Sequence, residues 1–353
     1  MRIYSLNQKI DRIITENGSS FHYFSGTSYL GIGLQEQFKH NVILGIEKYG
    51  INHGQSRINN VRLDIFEQFE EFFANAAEAE KAIVFSSGYL AGVAALQFLG
   101  STADQIWVAP DTHPAILPTH LKPDPEQDFA EWRKECLAKA EHLSPQRILI
   151  LGNAIDPLTP EIHDYSWLVQ VAQKHEVSLL IDDSHAFGVI GKGIFGTYAS
   201  LKSLPLRLLV SGSLGKGIGI SGGILLTDAQ THMEIKKLPI YGGASPCSPA
   251  FLYAFLETQD IYAAQLKRLK QLTKYFASKN LIPEHIIGNE NYPVFRYSDT
   301  SWVDELESNN IITSSFPYPT ANDERVNRII ISAFHRAEDI DMLSDTIIQI
   351  NAK

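Results

Sequence analysis

Residues 177–185 read VSLLIDDSH, an apolar run that stops abruptly at Asp182 and Asp183 and is followed by Ser184 and His185. Such a run is the pattern of a strand buried on both faces, its last residues reaching the rim of a sheet. Similar runs lie on either side. AIVF (82–85), IWVA (106–109) and RILIL (147–151) precede it, and LRLLVSG (206–212) and GGILLTD (222–228) follow. Helical stretches, an apolar one at 90–99 and another near 164–175, separate them. This alternation predicts an α/β fold: a largely parallel sheet with helices on both faces.

Working outward, residues 35–49 and 62–77 read as helices. In the second, Leu63, Phe66, Phe69 and Phe73 recur at helical spacing among Glu and Gln. Residues 18–33, rich in Gly and Ser, read as irregular. Residues 249–279 read as one long helix or two abutting ones. Strands at 292–299, 311–315 and 328–332 come next, with helices at 301–309 and from 337. The expected organisation is an N-terminal arm and helix (1–45), a large domain (46–250), and a linking helix with a smaller C-terminal α/β domain (251–353).

Composition bounds the function. The 353 residues carry 30 Lys and Arg against 40 Asp and Glu, a formal charge of −10. An acidic chain with scattered basic residues argues against nucleic acid or an anionic membrane as partner. No apolar run approaches the ~18 residues of a spanning helix, and the opening residues lack the apolar core of a secretion signal. Two cysteines, Cys136 and Cys247, make neither a disulfide framework nor a metal knuckle. No metal is expected, and the chain reads as globular and cytoplasmic.

Ligands of wound α/β sheets collect beyond the carboxyl ends of the strands, and four clusters sit there. Ser86-Ser87-Gly88-Tyr89 feeds the helix at 90–99, whose N-terminus suits a phosphate. Asp182-Asp183-Ser184-His185 ends its own strand. Ser211-Gly212-Ser213-Leu214-Gly215-Lys216-Gly217 presents a lysine fenced by glycines, and Asp111-Thr112-His113-Pro114 follows IWVA. Each has an ordinary reading alone: a helix cap, a loop-capping acid, an exposed turn lysine, a solvated loop histidine. Gly217-Ile218-Gly219-Ile220-Ser221-Gly222 matches G-x-G-x-x-G but runs into a strand where the dinucleotide fingerprint needs a helix. Together, the clusters meet the needs of pyridoxal 5′-phosphate. That cofactor needs a Schiff-base lysine, an acid for the ring nitrogen, donors for the phosphate and a flat partner for the ring.

FSSGYLAG (85–92), LLIDDSHAFGVIGKGIFG (179–196) and SGSLGKGIGISGGILLTD (211–228) together resemble the α-oxoamine synthase family of fold-type I pyridoxal-phosphate enzymes. The likeness runs from SYLGIG (28–33) to RIIISAFH (328–335). It implies a mostly parallel seven-stranded sheet and a role for each site residue. Lys216 would carry the cofactor as a Schiff base and move the substrate's α-proton. Asp182 would pair with the ring nitrogen, His185 with the phenolic oxygen, and His113 would stack on the ring. Gly88, Tyr89 and Ser213 would hold the phosphate, and Ser245 would reach the phosphate of a partner subunit, making a homodimer. Arg328 would take the amino-acid carboxylate, with Arg57 and Asn153 as further substrate-binding positions.

The reaction implied is a decarboxylative condensation of a small amino acid, alanine by preference, with an acyl-CoA. The alternatives on the same fold are an aminotransferase or a retro-aldol lyase, and then a non-catalytic scaffold. Three stretches depart from the family. Asn52 and His53 stand where Gly and Ser are usual. The segment 111–113 is tight. GNAIDPLTPEI (152–162) is short and lacks the family's acid beside Asn153.

Overall fold

The computed structural model describes residues 2–124, 127–156, 158–279, 281, 285–317 and 323–352. The chain forms two compact units. Strands β1 (Ile13–Glu16) and β2 (Ser19–Phe24) belong to the smaller one. The larger contains β3 (Lys81–Phe85), β4 (Gln105–Val108), β5 (Arg147–Asn153), β6 (Glu176–Asp182), β7 (Arg207–Ser213) and β8 (Gly223–Thr227). Then β9 (Ile286–Ile287), β10 (Val294–Tyr297), β11 (Ile311–Pro317) and β12 (Arg325–Ile330) return to the smaller unit.

The larger unit comprises Glu36–Asp156 and Ile162–Gln259. Its six strands lie in the order β3-β8-β7-β6-β5-β4. Strands β4 to β7 pair in parallel, and β8 runs against both its neighbours. Ile148–Asn153 and Leu179–Asp182 are buried throughout, which is why these strands read as continuous apolar runs. The sheet packs on the helix Gly88–Gly100 through Ala91, Ala94, Ala95 and Leu99, set against Phe85, Leu151, Leu180 and Leu209. The helix Ile65–Ala77 brings Phe69 and Phe73 into an aromatic cluster with Phe187 and Phe255.

The sheet has six strands among the described residues, not the seven expected. Between the short helix Pro114–Ile116 and the helix Phe129–His142 the described residues form no strand, and Pro118 and Pro123 stand among them. Proline supplies no N–H to a ladder. The helix expected over 164–175 contracts to Leu168–Ala172, flanked by tighter three-residue backbone bonds such as Leu168 N to Tyr165 O and Lys174 N to Val171 O. The stretch 249–279 is two helices, Pro249–Leu256 and Gln259–Ala277.

The smaller unit comprises the first 35 residues, residues 157–161 and Asp260–Lys353. Its sheet order is β1-β2-β11-β12-β10-β9, antiparallel except for β11 with β2. The opening is therefore not an irregular arm. Asn17 and Gly18, with φ of 50° and 82°, make the two-residue turn between β1 and β2. Asn-Gly is the pair that a primed hairpin turn demands. The helix expected with that arm, Glu36–Tyr49, falls in the larger unit and lies backbone-close on the helix Pro249–Leu256 at Gly45 and Ala250. No helix among the described residues is long and apolar enough to cross a membrane.

Candidate active site

The parallel strands of the larger unit deliver their chemistry at one rim. Asn153 ends β5 directly opposite Asp182, which ends β6, and Asp182 lies opposite Ser211 of β7. Asp182 is buried, and its Oδ1 accepts the Ser184 backbone N–H at 2.9 Å. The Ser184 hydroxyl in turn accepts the Ser213 N–H at 2.8 Å, tying the end of β7 to the turn after β6. That turn is wound by Ala186 and Phe187 N–H groups onto the Asp183 carbonyl, and it carries the half-buried His185.

Lys216 rides on a short loop closed at its base by bonds from Leu214 N to Gly222 O (2.9 Å) and from Ile220 N to Leu214 O (3.0 Å). The loop touches the His185 turn backbone to backbone. A Cβ on Gly188, whose φ is +82°, would lie 2.7 Å from Gly217. Only glycine tolerates both that φ and that approach.

His113 opens the short helix Pro114–Ile116, and its Nδ1 accepts the Ala115 N–H at 3.1 Å. The ring proton therefore sits on Nε2. Burial holds the His113 pKa below the ordinary imidazole value; the negative field of Asp182 opposes this and the positive field of Lys216 adds to it. His113 is thus a neutral, flat ring at neutral pH, within electrostatic reach of both Asp182 and Lys216.

The helix Gly88–Gly100 begins against the end of β7. A Cβ on Gly88 would meet Ser213 N at 2.5 Å and Ser213 Cα at 2.6 Å. Ser87 caps the helix by accepting the Leu90 N–H at 3.2 Å. The Gly88 and Tyr89 N–H groups belong to the first turn, where a helix supplies no carbonyl for them. The Ser213 hydroxyl accepts the Gly215 N–H at 3.1 Å, which leaves its hydrogen to donate.

These residues fit pyridoxal 5′-phosphate on an observation of their own. Asp182 Oδ2 is buried and has no hydrogen-bond partner. An orphaned buried carboxylate oxygen costs about 1–3 kcal/mol or more, and a protonated ring nitrogen would satisfy it. Asp183, fully buried, accepts the Thr197 N–H at 2.6 Å and bonds the Thr197 hydroxyl at 2.7 Å. Burial pushes its pKa up to about 7 against those bonds, and the Asp182 charge adds to the push.

A family model described as aminotransferase class I and II matches residues 123–347. The chain belongs to that family. Among curated relatives, 8-amino-7-oxononanoate synthase from Lysinibacillus sphaericus is 29% identical over 290 residues, covering 78% of this chain and 71% of that protein. The protein of the same name from Nitrosospira multiformis is 23% identical over 362 residues, covering 96% and 89%. Of solved structures, serine palmitoyltransferase from S. paucimobilis superposes with a TM-score of 0.83 at 16% identity, over 99% of this chain and 92% of that one. An 8-amino-7-oxononanoate synthase from Francisella tularensis gives 0.71 at 21%, over 94% and 98%. The fold is that of the fold-type I transferases that use pyridoxal 5′-phosphate, and this chain is one of those enzymes.

Within this family member, the other expected site residues have surroundings of their own. Arg57 is buried, and both its terminal nitrogens lie 3.1 Å from Glu70, whose Oε1 also accepts the Val84 N–H at 2.8 Å. Its guanidinium is thus tied through Glu70 to the helix Ile65–Ala77 and to β3. Asn153 is likewise spent: its Nδ2 donates to the Asp111 carbonyl and carboxylate, and its Oδ1 accepts the His113 N–H at 3.1 Å. Ser245 is exposed, on the connection between the helices Pro239–Gly243 and Pro249–Leu256. Arg328 lies buried in β12 of the smaller unit, over the Phe316 ring at 5.2 Å. Arg268, on the helix Gln259–Ala277, donates to the Ala333 and His335 carbonyls. Asp183, Ser184 and Asp111 stand in the quoted clusters without a role of their own, whereas their partners Thr197 and His163 lie outside them.

Proposed function

We propose that the protein is an acyltransferase of the α-oxoamine synthase type. It joins a small amino acid, alanine by preference, to an acyl-CoA with loss of carbon dioxide, giving an α-amino ketone. The observation that carries the reading is the grouping of neutral His113 within the fields of Lys216 and of Asp182, with Asp182 Oδ2 left unpartnered. The similarity to 8-amino-7-oxononanoate synthases over most of the chain supports the choice of reaction.

When bound, pyridoxal phosphate supplies an electron sink for negative charge at the amino-acid α-carbon. The chain's residues provide the rest. Lys216 Nζ anchors the cofactor, then takes and returns the α-proton. Asp182 Oδ2 keeps the ring nitrogen protonated, His185 serves the phenolic oxygen, and His113 presents an uncharged face to the ring. Gly88 and Tyr89 N–H groups and the Ser213 hydroxyl hold the phosphate at a helix N-terminus, where the dipole favours an anion. Arg328 is assigned the amino-acid carboxylate, which its planar fork suits. Catalysis is then positioning plus electrostatics.

We further propose a homodimer, with Ser245 serving the phosphate of the second copy. Ile43, Ile46, Ile51, Ile58 and Val61 are exposed at 54, 38, 70, 62 and 63%. Apolar exposure gathered in one stretch suits burial against a second copy.

A free-thiol assay over a grid of small amino acids and acyl-CoA lengths tests the reading. Thiol release that needs both substrates and is abolished in Lys216→Ala is the expected result. Keto acid formed from the amino acid with no thiol released would replace the synthase by a transaminase. No turnover with any pair would end the proposal.

A further inference from the structure

The stretches 111–113 and 152–163 are bonded to each other. Asp111 Oδ2 accepts from Asn153 Nδ2 at 3.1 Å and bonds His163 Nε2 at 3.0 Å. Asn153 also donates to the Asp111 carbonyl, and its Oδ1 holds the His113 N–H at 3.1 Å. The Asp111 and His163 side chains are 10% and 2% exposed. Asp111 Oδ1 is buried and accepts no hydrogen bond, so Oδ2 makes both of the carboxylate's bonds in this junction.

The surroundings hold each partner in place. The His163 ring lies on the Phe129 ring, with centroids 3.9 Å apart and planes 6° from parallel. The His163 N–H bonds the Ala154 carbonyl at 3.0 Å. The Tyr165 hydroxyl donates to the Asn153 carbonyl at 2.8 Å, and the Thr112 hydroxyl to the Ala109 carbonyl at 2.7 Å.

From this geometry we infer that Asp111, Asn153 and His163 are positioning residues: a clasp that fixes the backbone at His113 and so sets the plane of its ring. The inference rests on the proposed role of His113 at the cofactor. A carboxylate at position 153 would face the Asp111 carboxylate, whereas the Asn153 carboxamide donates to Asp111 and accepts from His113. The setting of His113 therefore depends on a side chain 52 residues from Asp111 in sequence. Misplacing a reacting group by about 1 Å costs on the order of a hundredfold in rate, so the clasp reaches turnover without touching substrate.

Three variants of the full chain test this: Asn153→Ala, His163→Phe (which keeps the ring on Phe129 and removes the donor) and His163→Gln (which keeps a donor). Hydrogen exchange at the His113 amide is followed with and without pyridoxal phosphate, together with visible circular dichroism of the loaded protein and kcat and KM for the amino acid. Asn153→Ala and His163→Phe are expected to speed His113 exchange and alter the cofactor's dichroism. They should lower kcat/KM roughly ten- to a hundredfold, with His163→Gln largely restored. Unchanged His113 exchange in Asn153→Ala, or identical behaviour of the Phe and Gln variants, overturns the clasp. If exchange responds as expected but wild type shows no Lys216-dependent cofactor absorbance, the functional reading fails and the clasp stands.

Discussion

Gly88→Ala tests the phosphate cradle directly. The new Cβ would stand 2.5 Å from Ser213 N, 2.6 Å from Ser213 Cα and 2.8 Å from Gly212 C, all backbone atoms of β7 or its end. No side chain can rotate away. Reaching ordinary van der Waals separation requires the helix start and the end of β7 to part by about 0.9 Å. Overpacking of this kind costs about 1–3 kcal/mol of folding stability. The same displacement carries the Gly88 and Tyr89 N–H groups away from the phosphate position. Losing one hydrogen bond to a charged group costs about 1.5–3 kcal/mol, which is roughly ten- to a hundredfold in Kd.

Titration of cofactor-free protein with pyridoxal phosphate, read by visible absorbance, measures the loss, and thermal melts of both forms measure the folding cost. Gly100→Ala, at the other end of the same helix, is the control. Its Cβ meets nothing within 4 Å, so it should gain about 0.4–1 kcal/mol. If Gly88→Ala binds the cofactor as tightly as wild type and gains stability like Gly100→Ala, the steric and phosphate-cradle reasoning is refuted together.

Two further outcomes follow from buried charge. Arg57→Ala leaves Glu70 buried and uncompensated, so the variant should lose about 3–5 kcal/mol in urea unfolding; a well-folded variant with only a raised substrate KM would return Arg57 to the substrate site. Asp183 has a folded pKa of about 7 against an ordinary value of 3.8. Its contribution to stability is therefore fully present below about pH 4 and is lost as pH rises towards and through 7, on the order of 4 kcal/mol in all. Asp183→Asn keeps both bonds to Thr197, with the hydroxyl accepting from the amide instead of donating. The stability of wild type relative to this variant should fall between pH 4 and 8, and a constant difference across that range would refute the raised pKa.

Much of the larger unit was legible because its strands are local facts. Leu179–Ile181 and Ile148–Leu151 are apolar along their length since both faces are covered, and a buried apolar run needs no distant information to be recognised. The rim residues were legible for the same reason: Asp182, Ser213 and Lys216 follow directly where apolar runs stop. The β1–β2 hairpin had an equally local signal in Asn17-Gly18, but the surrounding Gly and Ser masked it.

The sequence by itself determined which residues end the buried strands and that they can serve a phosphate, a pyridine nitrogen and a Schiff base together. Tertiary structure decided what those residues are bonded to. Arg57 reads as a substrate arginine until Glu70 is found against it, and Asn153 reads as a substrate amide until Asp111 and His113 take its donors and acceptor. The pairing of β2 with β11 and the stack of His163 on Phe129 join segments far apart in the chain. The reason is physical. Periodicity reports which faces are buried, but a hydrogen-bond partner is chosen by three-dimensional proximity, which chain spacing does not encode.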